Sequence, residues 1–380
     1  MLCQFLDKFH SHDHQRSEES ILIGWWKTKF GEEEIERIAN SIRDGNVSQG
    51  EVTREFEKKL EDYFGVKHVV ATSSGSAALT LALMAIGVSP GDEVIVPNRS
   101  WIATAHAVTV LGGKVILADV EKSRPLLAGD RLEELISAKT KAIIPVHLNG
   151  RAADLKNIQD IARSNQIPVI EDAAQAIGSQ YQNVLLGTFG TIGCFSFSVA
   201  KTLATGQGGV AITEDDDIAG LLRAMRTHGV ENVKNPEKWQ MPGSNFRFTD
   251  IAASIGLVQL TKLEKRLERA RSVYRKYREG VADLSAIQEI PIFLDDGEVP
   301  VYNEFLFEDR DNLIKFLHAN QIDTRPSYPD LDRADYLYQD QRNFPNSRIF
   351  AAKGLVLPSG PDQSDEDVDR VIEMLATRYS

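Results

Sequence analysis

Seven short apolar runs between residues 68 and 213 constrain the fold of this chain more than any other feature: HVVAT, DEVIVP, KVILADV, KAIIPVHL, IPVIEDAA, IGCFSFS and GGVAIT. They are rich in Val and Ile and continuous rather than alternating, as strands buried on both faces are. Helical segments stand between the first five: SAALTLALMAIG, SWIATAHAVTVLG, DRLEELIS and DLKNIQDIARSNQ. This alternation predicts an α/β domain built on a mostly parallel seven-stranded sheet.

Helical spacing also appears ahead of the strands, with Ile35, Ile38 and Ile42 in one segment and Val52, Phe56 and Leu60 in the next, before Gly65. From Thr249 a long helical stretch begins apolar and becomes highly charged, which suits a passage out of the large domain. The remainder mixes short strands such as VYNEFLFED with helices, and the last helix opens on a capping-box pattern, Ser364 and Asp367. The organisation predicted is an N-terminal arm over 1–30, a large domain over 31–260 and a smaller α+β domain over 261–380. In the arm His10, His12 and His14 alternate, but no second anchoring element stands nearby, so a polar arm is expected and no metal site.

The apolar share of 42% is ample for a large core, and the net charge of -12 disfavours nucleic acid as a partner. Two cysteines, Cys3 and Cys194, form neither a disulfide framework nor a zinc spacing and fit a reducing compartment. With no signal-peptide pattern and no apolar run long enough to span a bilayer, a cytoplasmic protein without a membrane partner is expected.

Against this background Lys201 is out of place. It stands between the apolar run Phe195, Phe197, Val199 and the Gly206, Gly208, Gly209 turn that leads into Val210, Ala211, Ile212. A lysine there carries a cost unless its charge is used. In open α/β sheets ligands sit beyond the carboxyl ends of the strands. Those ends hold Ser73, Ser74, Gly75 and Ser76 at a helix start suited to phosphate, then Trp101, then Glu171, Asp172 and Gln175, then Ser196. Singly, each has a plain structural explanation: a cap, a core aromatic, a strand-end carboxylate. Together they supply a phosphate cradle, a flat ring, a carboxylate, an amide and an amine. Those are the parts that pyridoxal phosphate needs, with Lys201 as the imine-forming residue.

The ordered motifs SQGEVTREFE, SSGSAAL, SWIATAHAV, PVHLNG, VIEDAAQAIGS, GCFSFSVAKTLATGQGGVAIT, His228–Gly229 and MPGSNFRFTDIAASIGLVQL make the relationship specific. From about Ile23 to Leu375 the chain resembles the pyridoxal-phosphate sugar aminotransferases of DegT/StrS type, which have the aspartate-aminotransferase fold (PLP fold type I). The resemblance implies that Lys201 carries the cofactor, that Asp172 pairs with the pyridine nitrogen and that Gln175 bonds the ring's phenolic oxygen. It implies that Trp101 stacks on the ring and that Gly75, Ser76 and Ser196 hold the phosphate. Asn245 would reach the cofactor phosphate of a neighbouring subunit, which makes the protein a homodimer with shared sites. Thr202, Gln207, Ile177 and Asn149 depart from the usual Asn, Glu, His and Tyr of the family without removing a cofactor contact.

The activity implied is transamination, from an amino acid such as glutamate to a nucleotide-linked keto-deoxysugar for a surface polysaccharide or glycosylated metabolite. Lys201 would act as general base and acid. Arg247, Arg325 and Tyr328 are candidates for binding the sugar nucleotide. A sugar 3-dehydratase on the same fold would have His in place of Lys201, and a regulatory or scaffolding member would have no use for the lysine and carboxylate together. A dinucleotide dehydrogenase would need G-x-G-x-x-G after the first strand, where TSSGSAA stands instead.

Overall fold

Successive side chains of a strand point to opposite faces of a sheet, and here both faces are covered. Val69, Ala71, Phe195, Val210 and Ile212 pack on one side with Phe56, Leu60, Leu257 and Leu267. Val70, Cys194, Ala211 and Ile170 pack on the other with Leu79, Leu83, Val108 and Leu222. That double burial is why the runs read as continuous rather than alternating. The computed structural model describes residues 23–230, 238–337 and 342–379, so His10, His12 and His14 lie outside the described residues.

All seven runs form strands: β1 (His68–Thr72), β2 (Glu93–Pro97), β3 (Lys114–Ala118), β4 (Thr140–Ile143), β5 (Ile170–Asp172), then, after a small hairpin of β6 (Gln180–Tyr181) and β7 (Val184–Leu185), β8 (Ile192–Ser196) and β9 (Gly209–Thr213). Their hydrogen-bonded ladders run β3-β2-β4 and β5-β8-β9-β1. Parallel bridges Ile143–Val169 and Val146–Asp172 join the two halves. The ladders β2–β3, β2–β4 and β5–β8 are parallel, and only β9 runs antiparallel to its neighbours β8 and β1.

Two predicted helices differ from expectation. DRLEELIS forms two single turns of 3-10 helix, Gly129–Arg131 and Glu133–Leu135, rather than an α-helix. Of this short segment's side chains Leu132 is the one fully buried, and a helix this short has too little packing to repay its nucleation. The helix Glu32–Arg43 forms as read, but its inward face is not the isoleucine row. Glu34 and Ser41 are buried, whereas Ile35 and Ile42 are each 56% exposed. Glu34 Oε1 accepts hydrogen bonds from Gln259 Nε2 at 2.7 Å and Lys262 Nζ at 2.8 Å, so polar groups fix that face.

The stretch from Thr249 splits at Lys262 into helices Asp250–Thr261 and Leu263–Gly280. The second packs Val273, Tyr274 and Tyr277 against a separate core with Phe305, Phe307, Leu317 and Val371. There β10 (Ile287–Glu289), β11 (Asn303–Phe307), β12 (Arg325–Pro326) and β13 (Gly354–Leu357) form an antiparallel sheet in the order β10-β11-β13-β12. Ile23 also belongs to this core and bridges Ile322, so the chain is already packed within the span read as an arm. The last helix, Asp365–Tyr379, is capped as its sequence indicates, with the Asp367 N–H donating to Ser364 Oγ at 3.1 Å. Among the described residues no helix is long and apolar enough to cross a membrane.

Candidate active site

Lys201 lies on the loop that joins β8 to β9. The Phe197 N–H donates to Gly208 O at 2.8 Å, and the Thr205 N–H donates to Phe197 O at 2.8 Å. These bonds fold the loop back on itself and hold Lys201 at the carboxyl end of β8. Beside it opens a cavity of about 800 Å3, lined by Gly75, Ser76, Trp101, Asp172, Gln175, Ser196, Lys201, Arg325 and Tyr328. Nine of the predicted site residues therefore share one wall system. Asn245 and Arg247 do not. They bridge Thr227 and Thr72 respectively, and Arg247 Nε donates to Asn245 Oδ1 at 2.9 Å, outside the lining of this cavity.

At one end of the cavity three backbones come together. The helix Gly75–Ala85 is capped by Ser74, whose hydroxyl accepts from the Ala77 N–H at 3.1 Å. The N–H groups of the first turn have no carbonyl to bond within the helix, and the dipole makes that end positive. A Cβ on Gly75 would stand 2.7 Å from Ser196 Cβ, and one on Gly209 would stand 2.5 Å from the Gly75 nitrogen. Glycine at both positions allows the helix start and the Ser196 hydroxyl to be adjacent, which makes a cradle for an anion.

The two acidic residues that end β5 separate by strand alternation. Glu171 is wholly buried and structural: its oxygens accept from the N–H groups of Gly187, Phe189 and Gly190 at 2.6–2.8 Å, and His147 Nε2 lies 2.8 Å from Oε2. The Ala153 N–H donates to His147 Nδ1 at 3.2 Å, which leaves Nε2 to carry the proton. Asp172 faces the cavity. Its Oδ2 accepts from Thr104 Oγ1 at 2.7 Å and its Oδ1 from the Ala174 N–H at 3.1 Å. Burial pushes its carboxyl above the ordinary range, against the pull of those two bonds. Burial also lowers the pKa of Lys201, opposed by Tyr328 and Asp172.

Gln175 is oriented from both ends. Its Oε1 accepts from the Asn149 N–H at 2.9 Å, and its Nε2 donates to Tyr328 Oη at 3.3 Å. Tyr328 in turn meets Trp101 edge to face at 5.4 Å between centroids. Arg325 is exposed, its guanidinium 4.5 Å above the Trp25 ring. Sequence reading missed Thr104, Trp25 and Tyr302. Thr104 sits in the motif SWIATAHAV with no sign of its role, because its partner Asp172 is 68 positions away.

The family model of the DegT/DnrJ/EryC1/StrS aminotransferase family matches residues 28–376. GDP-perosamine synthase of Caulobacter vibrioides is 37% identical over 336 residues, 86% of this chain and 90% of that one. The spore coat polysaccharide biosynthesis protein SpsC of Bacillus subtilis is 30% identical over 375 residues, 90% of this chain and 94% of that one. The PLP form of Spr1654 from Streptococcus pneumoniae superposes with a TM-score of 0.87 at 27% identity, covering 93% of this chain and 97% of that one. The expected architecture, fold type I with a smaller α+β part, is thus the fold of these relatives. By a match that spans almost its whole length, the chain belongs to the DegT/DnrJ/EryC1/StrS aminotransferase family.

Proposed function

We propose that this protein is a pyridoxal-phosphate-dependent aminotransferase that transfers an amino group from an amino acid, glutamate first among them, to the keto group of a nucleotide-linked deoxysugar. The observation that carries the reading is one cavity holding an amine, a buried carboxylate and a helix N-terminus at the ends of β8, β5 and β1. The donor set suits the cofactor. The Gly75 and Ser76 N–H groups with the Ser196 hydroxyl match a phosphate dianion, and Asp172 has only neutral hydrogen-bond partners, so a protonated pyridine nitrogen would supply its missing cation. Gln175 offers an amide N–H to the ring's phenolic oxygen, and Trp101 offers a flat face.

When bound, the cofactor supplies an electron sink for the carbon that gains or loses nitrogen. The chain's own contribution is positional and protonic. Asp172 would hold the ring nitrogen's charge, the cradle would hold the phosphate end, and Lys201, whose pKa burial lowers, would take and return the proton. Arg325 and Tyr328 stand at the mouth and the ring side of the cavity, where a sugar nucleotide would enter.

Shared active sites in a homodimer belong to the same proposal. Asn245 is exposed and outside the cavity of its own chain, and the exposed Ile35 and Ile42 leave an apolar row without a partner among the described residues. Both features suit a second copy. A cytoplasmic location completes the reading, in keeping with the free, buried Cys194.

The test is direct. Purified protein is incubated with glutamate and a panel of nucleotide-linked keto-deoxysugars, and products are weighed by mass spectrometry. A GDP-linked sugar heads the panel, because the 37%-identical relative is named for a GDP-linked product. Amino-sugar formation with matching loss of glutamate supports the proposal; loss of water from the sugar without nitrogen gain would replace it with the dehydratase reading.

A further inference from the structure

We infer that Tyr302 is a positioning residue for Lys201: its ring face supports the lysine amine, and Asn149 holds Tyr302 in that place. Tyr302 arrives from the segment that leads into β11, in a small cluster with Val301 and Val356 apart from the core that holds Leu203 of the lysine loop. Its hydroxyl nevertheless donates to Ala200 O at 3.0 Å, and Lys201 Nζ stands 5.8 Å from its ring centroid. Trp25 and Trp26 pack around the same ring with centroids at 6.1 and 5.6 Å, which leaves it little room to swing away.

The hold on Tyr302 is a two-point clamp. Asn149 Nδ2 donates to Tyr302 O at 2.8 Å, and Asn149 Oδ1 accepts from the Tyr302 N–H at 2.5 Å. One side-chain amide thus satisfies both backbone groups of a buried residue, as a neighbouring strand would. Asn149 does this from a left-handed backbone, φ 55° and ψ 37°, a conformation Asn tolerates better than most residues. Its own N–H orients Gln175, so a single residue places side chains on two sides of the cavity.

The physical consequence falls on the amine. A lysine side chain is long and flexible, and burial lowers the pKa of its amine. The negative face of an aromatic ring within about 6 Å favours the ammonium form. Tyr302 therefore works with Asp172 and Tyr328, the other titratable groups that act on Lys201, to keep the proton on the amine once it is free to accept one.

This rests on the reading of Lys201 as the reactive amine, but its test needs neither cofactor nor turnover. In cofactor-free protein, acetylation of Lys201 by acetic anhydride is followed across pH by peptide mass spectrometry. Tyr302→Phe keeps the ring and should leave the midpoint unchanged. Tyr302→Leu keeps the burial but loses the ring, and should lower the midpoint by about half a pH unit. An unchanged midpoint in the Leu variant, or an equal shift in the Phe variant, overturns the proposal. Should the Leu variant lack the native circular dichroism spectrum, Asn149→Gly takes its place, since glycine accepts the backbone and removes only the clamp. It should shift the midpoint in the same direction, and no shift there overturns the proposal equally.

Discussion

Thr104 donates a hydrogen bond of 2.7 Å to the carboxylate of Asp172, from the first turn of the helix after β2 to the end of β5. The bond lowers the Asp172 pKa against the upward push of burial, and so favours the charged form that a pyridinium partner requires. Thr104→Val keeps the shape and removes the bond. Cofactor affinity should fall about tenfold, the scale of a hydrogen bond to a charged group, as read by absorbance titration with pyridoxal phosphate. Unchanged affinity would mean that Asp172 is held charged by other means.

Two buried charges should be costly in the cofactor-free protein. The folded-state pKa of Lys201 is below 10.5, so between the two values the unfolded chain binds more protons and stability rises with pH; below that window the buried charge is a constant cost. Lys201→Met should raise the melting temperature at pH 7 and flatten its rise towards pH 10. The Asp172 folded pKa is above 3.8, so its contribution is lost as pH rises through the folded value. Asp172→Asn should likewise melt higher at pH 7, while turnover falls far more than cofactor affinity. Thermal melts across pH check both, and lower melting points would assign these side chains to the scaffold.

Lys201 should also be the point of covalent attachment. Borohydride treatment of the yellow holoprotein should fix the cofactor to a single peptide that contains Lys201, and Lys201→Ala should abolish both the labelling and the turnover. A labelled peptide elsewhere would remove Lys201 from its role.

Gly75→Ala tests the anion cradle. Its Cβ would stand 2.7 Å from Ser196 Cβ, and both atoms are tied to backbone, so neither side can yield cheaply. The variant should lose about 1–3 kcal/mol of stability in urea unfolding and bind pyridoxal phosphate more weakly than pyridoxal. Equal losses for the two ligands would place the damage in packing alone.

Shared sites predict complementation. Lys201→Ala and Asn245→Ala subunits should each be inactive or impaired alone. If Asn245 acts across the interface, a mixed dimer puts both lesions into one site and leaves the other intact, so activity should recover when chains exchange. No recovery, with exchange demonstrated by mass-tagged subunits, would assign Asn245 to its own chain.

The sequence by itself determined what depends on local pattern. Val/Ile runs buried on both faces could only be strands of a covered sheet, and chemistry-bearing residues at their carboxyl ends could only meet at one edge. That much brought Lys201, Asp172, Ser196 and Gly75 together before any coordinates. The tertiary structure decided whatever depends on partners distant in sequence. Glu171 and Asp172 look alike in the sequence, yet the turn at 187–190 claims one and the cavity the other. The helix Glu32–Arg43 turns Glu34 and Ser41 inward rather than Ile35 and Ile42, because Gln259 and Lys262 meet Glu34 there. Tyr302 stands beside Lys201 through partners far apart in the chain: Asn149, 153 positions away, binds both of its backbone groups, and its hydroxyl bonds Ala200 O. Periodicity reports which faces of an element are apolar; it carries no record of which distant group will satisfy a buried donor or acceptor, and such pairings set the details of this site.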